Sequence, residues 1–150
     1  MQKREAVQDP RTREPKMRSN FSILIVDDEL GVRESFRMIL NSYYEIWTAP
    51  DGEEALNIMK QRKINLITLD LNMPKLSGIE TLREIRKIDA EVPIIIITGY
   101  GTQRDQKEML PYGVKDFISK PFNTSRIITL ISGILAEQKE GKEVPRDLPN

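Results

Sequence analysis

The sequence predicts a doubly wound α/β fold, in which a five-stranded parallel sheet carries helices on both faces. Short apolar runs recur five times between residues 21 and 136, and amphipathic stretches of helical spacing separate them. Two runs, Ile23-Leu24-Ile25-Val26 and Ile94-Ile95-Ile96-Ile97, are apolar at every position, as expected for strands covered on both faces. Strands alternating with helices imply a parallel sheet whose crossovers are right-handed.

Each element follows from its local pattern. Ile23–Val26 makes the first strand, and Val32, Phe36, Ile39 and Leu40 then recur at helical spacing. Tyr44-Glu45-Ile46-Trp47 alternates, which places the second strand nearer an edge. Asp51-Gly52-Glu53-Glu54 resembles a capping box with Asp51 as the N-cap, and Ala55, Leu56 and Met59 form the face of the second helix. Leu66-Ile67-Thr68-Leu69 is the third strand, and Ile79, Leu82, Ile85 and Ile88 mark the third helix. Ile94–Ile97 is the most apolar strand and belongs at the centre. Residues 102–110 make a short fourth helix, ended by Pro111 and Gly113. Asp116-Phe117-Ile118 is the fifth strand. Ile127, Ile128, Ile131, Ile134 and Leu135 stripe the last helix, with Asn123, Thr124 or Ser125 as its cap.

Composition limits the chemistry. The 150 residues form about one domain. Lys+Arg and Asp+Glu both number 23, so a strongly basic nucleic-acid-binding field is absent. With no cysteine and no histidine, the chain has no disulfide, no thiol or imidazole metal ligand and no Ser-His-Asp triad. Residues 1–20 and 137–150 are charged and proline-bearing and read as flexible tails, leaving 21–136 as the folded domain. The run Ile94–Ile97 is far short of the ~20 residues a membrane helix needs. Nothing at the N-terminus resembles a signal peptide, so a cytoplasmic location is expected.

Ligands of parallel α/β sheets bind beyond the carboxyl ends of the strands, and there the sequence is most informative. Strand 1 runs into Asp27-Asp28-Glu29, strand 3 into Asp70, strand 4 into Thr98-Gly99, and strand 5 into Lys120-Pro121. Crowded carboxylates either take up protons or hold a cation. Oxygen ligands select a hard one, Mg²⁺ before Ca²⁺. Mg²⁺ binds through one or two carboxylates and a phosphate oxygen, and Thr98 and Lys120 suit the oxygens of a transferring phosphoryl group. A carboxylate is then its acceptor. Each piece also has a plainer explanation. Asp27-Asp28-Glu29 fits a helix cap and acidic first turn, most strongly for Glu29. Asp70 fits a turn, Thr98 a strand end, and Lys120 a solvated loop. Their joint placement at the ends of separate strands favours the site.

The segments ILIVDDE (23–29), DGEEAL (51–56), LITLDLNMPKLSGIE (66–80), IIIITGYG (94–101) and VKDFISKPF (114–122) resemble the response-regulator receiver domains of two-component signalling, across residues 21–136. The resemblance implies a flavodoxin-like (βα)5 fold with strand order 2-1-3-4-5. It makes Asp70 the phosphoacceptor, with Mg²⁺ held by Asp27, Asp28, Asp70 and the main-chain carbonyl of Asn72. Thr98 and Lys120 hold the phosphoryl oxygens, and Asn72 and Tyr100 flank the site. Phe117 becomes a switch aromatic, although by its residue pattern alone it is an ordinary half-buried strand aromatic. The Lys120–Pro121 bond is expected to be cis, against a base rate of about 5–6%. The implied partners are a histidine kinase or histidine phosphotransfer protein and a downstream effector protein. A homodimer through helix 4, strand 5 and helix 5 is also implied, with neither nucleic acid nor membrane bound directly. Fourteen residues follow Ala136, fewer than a typical DNA-binding domain needs, so output by protein–protein contact is expected.

Pro111 departs from the family pattern, falling where the fourth receiver helix usually continues. Proline removes a donor and clashes with the preceding turn, so a short or distorted helix is expected. Two other functions compete. A haloacid-dehalogenase-like phosphatase also uses an aspartyl nucleophile and Mg²⁺ but wants an acid where Asn72 stands. A docking module with a vestigial site would not need Asp27, Asp28, Asp70, Thr98 and Lys120 intact. Gly99-Tyr100-Gly101 lacks the later glycine of a dinucleotide-binding loop, and no phosphate-binding Walker loop is present.

Overall fold

The computed structural model describes residues 20–99 and 103–147. The expected N-terminal tail up to residue 19, Tyr100 and residues 148–150 lie outside them. The chain forms β1 (Ser22–Val26), α1 (Leu30–Leu40), β2 (Glu45–Ala49), α2 (Gly52–Gln61), β3 (Leu66–Leu69), α3 (Gly78–Ile88), β4 (Ile94–Thr98), α4 (Gln103–Met109), a 3₁₀ turn (Leu110–Tyr112), β5 (Asp116–Ser119) and α5 (Thr124–Asp147). The sheet order is β2-β1-β3-β4-β5, with every pairing parallel. This is the doubly wound, flavodoxin-like fold.

Period-2 alternation divides the strands between two cores. Leu24, Val26, Ile67, Leu69, Ile94 and Ile96 face α2, α3 and Met109. Ile23, Ile25, Leu66, Ile95, Ile97 and Ile118 face Phe36 and Leu40 of α1 and the Ile127–Leu135 stripe of α5. β1, β3 and β4 are buried along their whole length, whereas the edge strands β2 and β5 are buried only in part. Covering both faces explains why the inner strands are mostly apolar on both sides, with Ser22, Thr68 and Thr98 as their buried polar residues.

Local chemistry sets the helix ends. Asp51 Oδ1 accepts the Glu54 amide at 2.9 Å, so it is the cap foreseen for α2. A reciprocal capping box, not anticipated from the sequence, joins Ser77 and Glu80 at α3. Asn123 Oδ1 accepts the Arg126 amide and caps α5. α4 is short, as expected from Pro111, and passes into the 3₁₀ turn, which closes on Gly113 at φ +71°. The Arg86 guanidinium of α3 fastens this turn by donating to the Tyr112 carbonyl (2.7 Å), and it also holds the loop after α3 by donating to the carbonyls of Asp89 (3.2 Å) and Val92 (2.8 Å).

At the carboxyl end the structure differs from the sequence expectation. The sequence placed a tail from residue 137, but α5 continues to Asp147 and Gln138 Nε2 donates to the Asn65 carbonyl at 2.6 Å. The apolar stripe that marks a helix ends near Leu135. A helix already nucleated propagates through charged residues without one.

Candidate functional site

Parallel strands end on one rim, and backbone pairing carries the ladder one residue past each strand. The Asp27 amide donates to Ala49 O, the Asp70 amide to Val26 O, and the Lys120 amide to Thr98 O. Asp27, Asp70 and Lys120 are thereby held on the sheet frame, with limited freedom to move apart.

Carboxylate oxygens of Asp27, Asp28 and Asp70 all lie within 4.8 Å of one another. Asp27 and Asp70 are 3% and 4% exposed, while Asp28 is open to solvent. The Lys120 ammonium donates to Asp27 Oδ2 at 2.8 Å, Glu29 Oε1 at 2.8 Å and Asp70 Oδ2 at 3.3 Å. The Asn72 amide donates to Asp70 Oδ1 at 3.2 Å, and its side-chain amide reaches Thr98 Oγ1 at 3.4 Å. Asp28, Glu29, Asp70, Asn72, Gly99 and Lys120 line an open cleft of about 440 Å³.

The electrostatics follow from burial and crowding. Burial pushes the Asp27 carboxyl above its ordinary range, and the Asp70 charge adds to this. The hydrogen bonds from Lys120 and from the Glu29 amide oppose the rise without cancelling it. Burial works against the Lys120 charge, but hydrogen bonds to Asp27 and Glu29, with the Asp27 and Asp70 charges, outweigh it and raise its pKa. The hydrogen bond from Lys120 holds Glu29 below the usual carboxylate range.

The donor set fits a hard divalent cation. It offers three convergent carboxylates and no nitrogen or sulfur ligand, which selects Mg²⁺ or Ca²⁺ over softer metals. One ammonium set against three carboxylates leaves negative charge in excess, as a cation site requires.

The structure thus brings together Asp27, Asp28, Asp70, Asn72, Thr98 and Lys120. Phe117 stands apart from this cleft, half-buried against the core layer that holds Ile94, Ile96 and Met109. The Lys120–Pro121 peptide is cis. Tyr100 falls outside the described residues. Glu29, the third acid at the end of β1, and Arg33 also take part. Glu29 sits at the N-cap position of α1 but makes no side-chain cap bond; it turns back to Lys120 instead. Arg33 donates to the Asp27 carbonyl at 2.7 Å and braces the acidic turn. Glu29 stands at the strand end in the sequence but fits a helix cap best there, and nothing in the sequence separates Arg33 from an ordinary helix-surface charge.

Residues 23–132 match the response regulator receiver domain. The chain belongs to that family. A receiver domain protein (CheY-like) from Methanospirillum hungatei JF-1 superposes with TM-score 0.78 at 30% identity, over 82% of this chain and 99% of that one. CheY in the CheX-CheY-BeF3-Mg²⁺ complex from Borrelia burgdorferi superposes with TM-score 0.71 at 30% identity, over 81% and 98%. A probable transcriptional regulator, ycf27 of Cyanophora paradoxa, is 40% identical over 114 residues, 75% of this chain and 47% of that protein. This receiver spans about half the length of the curated relatives it matches.

Proposed function

We propose that this receiver accepts a phosphoryl group on Asp70 from a phosphohistidine of a histidine kinase or histidine phosphotransfer protein. The observation that carries the proposal is the half-buried Lys120 ammonium shared by the buried carboxylates of Asp27 and Asp70, with Asp28 and Asn72 alongside. Asp27, Asp28, Asp70 and the Asn72 carbonyl would hold Mg²⁺, which when bound offsets the repulsion between the carboxylates and the phosphoryl oxygens.

An Asp70 carboxylate oxygen attacks phosphorus, and the donor's P–N bond breaks with its electron pair passing to the imidazole, which takes up a proton. Lys120 and Thr98 donate to the phosphoryl oxygens, stabilising the charge that develops there. Asn72 keeps Asp70 oriented through its backbone amide and borders the path by which water returns the acyl phosphate to carboxylate. Movement of Thr98 towards the phosphoryl group would leave room for Phe117 to turn inward, biasing the α4–β5–α5 face. That face would signal to an effector protein or a second copy in the cytoplasm. Asn72 replaces the general acid that an aspartyl phosphatase would place two residues after its nucleophile, so turnover on free substrates should be poor.

Intact mass after incubation with acetyl phosphate tests the proposal. The expected result is one phosphoryl adduct that requires Mg²⁺ and is abolished by Asp70→Asn. An adduct that persists in Asp70→Asn rejects the site assignment. No adduct on the folded wild type favours a phosphorylation-independent docking module.

A further inference from the structure

We propose that Glu29 is a positioning residue for phosphorylation, holding Lys120 in the unphosphorylated site and releasing it to the incoming phosphoryl group. The inference rests on Asp70 being the phosphoacceptor.

A lysine ammonium has three N–H donors and no acceptor. In this site Asp27, Glu29 and Asp70 each take one, so Lys120 has none left for a phosphoryl oxygen. One carboxylate has to let go. The Asp27 and Asp70 side chains are 4% and 5% exposed, whereas that of Glu29 is 60% exposed. A buried carboxylate that loses its cation stays charged in a medium of low polarity. An exposed one regains water, so Glu29 is the partner released most easily.

The backbone allows that exchange without disturbing the site. The Glu29 amide is anchored on Asp27 Oδ1 at 2.8 Å, so the side chain can swing while the turn stays in place. Because Glu29 caps nothing through its side chain, its departure breaks no helix contact. Once released, its carboxylate lies at the amino end of α1, where the helix dipole favours negative charge. Glu29 also lines the cleft mouth, which the donor has to cross.

A competing explanation is that Glu29 merely repels an anionic donor by its charge. Glu29→Asp separates the two, since it keeps the charge but is one methylene short of Lys120. Glu29→Ala removes both. The test measures the initial rate of Asp70 phosphorylation by acetyl phosphate with Mg²⁺. In this step Asp70 forms the new P–O bond and acetate leaves with the electron pair. A second readout, without chemistry, is beryllofluoride affinity by ¹⁹F NMR.

Both variants should react faster and bind beryllofluoride more tightly, by about two- to fivefold, the size of an exposed ion pair, and melt cooperatively at a temperature lowered only by the loss of that one pair. Glu29→Asp behaving as wild type while Glu29→Ala is faster leaves only a charge effect and overturns the inference, as do two wild-type-like variants. An unphosphorylated wild type overturns the Asp70 assignment and this inference with it.

Discussion

Asp27 meets opposing demands. Its carboxylate is buried beside Asp70, which disfavours its charge, and it is bound by Lys120 and the Glu29 amide, which favour it. The net rise in pKa has a definite consequence for stability. A carboxyl that binds its proton more tightly when folded than when unfolded makes stability fall as pH rises through the folded pKa. Asp51 behaves oppositely, because the Glu54 amide at the helix cap holds its pKa down. Its contribution is present above the ordinary aspartate range and is lost as pH falls below it. In metal-free protein, Asp27→Asn is therefore expected to raise the melting temperature at pH 7, with the gain shrinking as pH drops below the folded Asp27 pKa. Thermal melts of both proteins between pH 4 and 8 check this. A lower melting temperature for Asp27→Asn at pH 7 would show that the Lys120 pairing outweighs burial. Asp27 and Asp70 were legible because each directly follows an apolar strand, and Lys120 because Lys120-Pro121 comes just after the fifth strand in the motif VKDFISKPF. The Glu29–Lys120 pairing and the part taken by Arg33 were not, because their partners lie in a distant segment or on the backbone.

Helix packing turns on single glycines. A Cβ at Gly52 would run into Thr81 Oγ1 and come within 3.1 Å of Leu76 Cβ. Thr81 is fully buried and already donates to Ser77 O. The first turn of α2 thus rests against α3 with no space for a methyl group. Gly52→Ala should cost about 1–3 kcal/mol by overpacking. At Gly31, in the exposed first turn of α1, a Cβ would meet nothing within 4 Å, so Gly31→Ala should add up to about 1 kcal/mol through helix propensity. Urea unfolding of both variants should show midpoints moving in opposite directions, and a shift of the same sign for both would contradict the packing argument. The fourth helix illustrates a local rule that prevailed: Pro111 breaks the α-helix, and the chain continues as a 3₁₀ turn fastened by Arg86. The proline was visible in the sequence. The arginine that stabilises the break is 25 residues upstream and gave no sign.

In the molecule as a whole, all five strands end on one rim because every pairing is parallel. If the proposed cation binds among the carboxylates at that rim, it should couple stability to its own concentration. Mg²⁺ at 100 times its dissociation constant should stabilise the native state by about 2.7 kcal/mol, read as a melting temperature that climbs with Mg²⁺ concentration. Asp70→Asn should flatten that dependence, and a climb of equal size in Asp70→Asn would place the cation elsewhere. Calorimetric melts over a Mg²⁺ series provide the measurement.

Much of this was written in local pattern. Wholly apolar runs of four residues mark strands covered on both faces, and that alone implies helices above and below a parallel sheet. Motif order then placed the acids, Thr98 and Lys120 at strand ends. Distances between those ends are not local quantities. Lys120 meets Asp27 across 93 positions of chain, and whether an ammonium bridges two carboxylates or three depends on strand register and side-chain reach. The same holds for the last helix, whose continuation past Leu135 rests on nucleation by the packed stripe before it and on a Gln138–Asn65 bond from a distant loop. Periodicity and caps act between neighbours in sequence, and so a sequence reveals them. Charge sharing, close helix approach and docking act between neighbours in space, and they are settled when the chain packs.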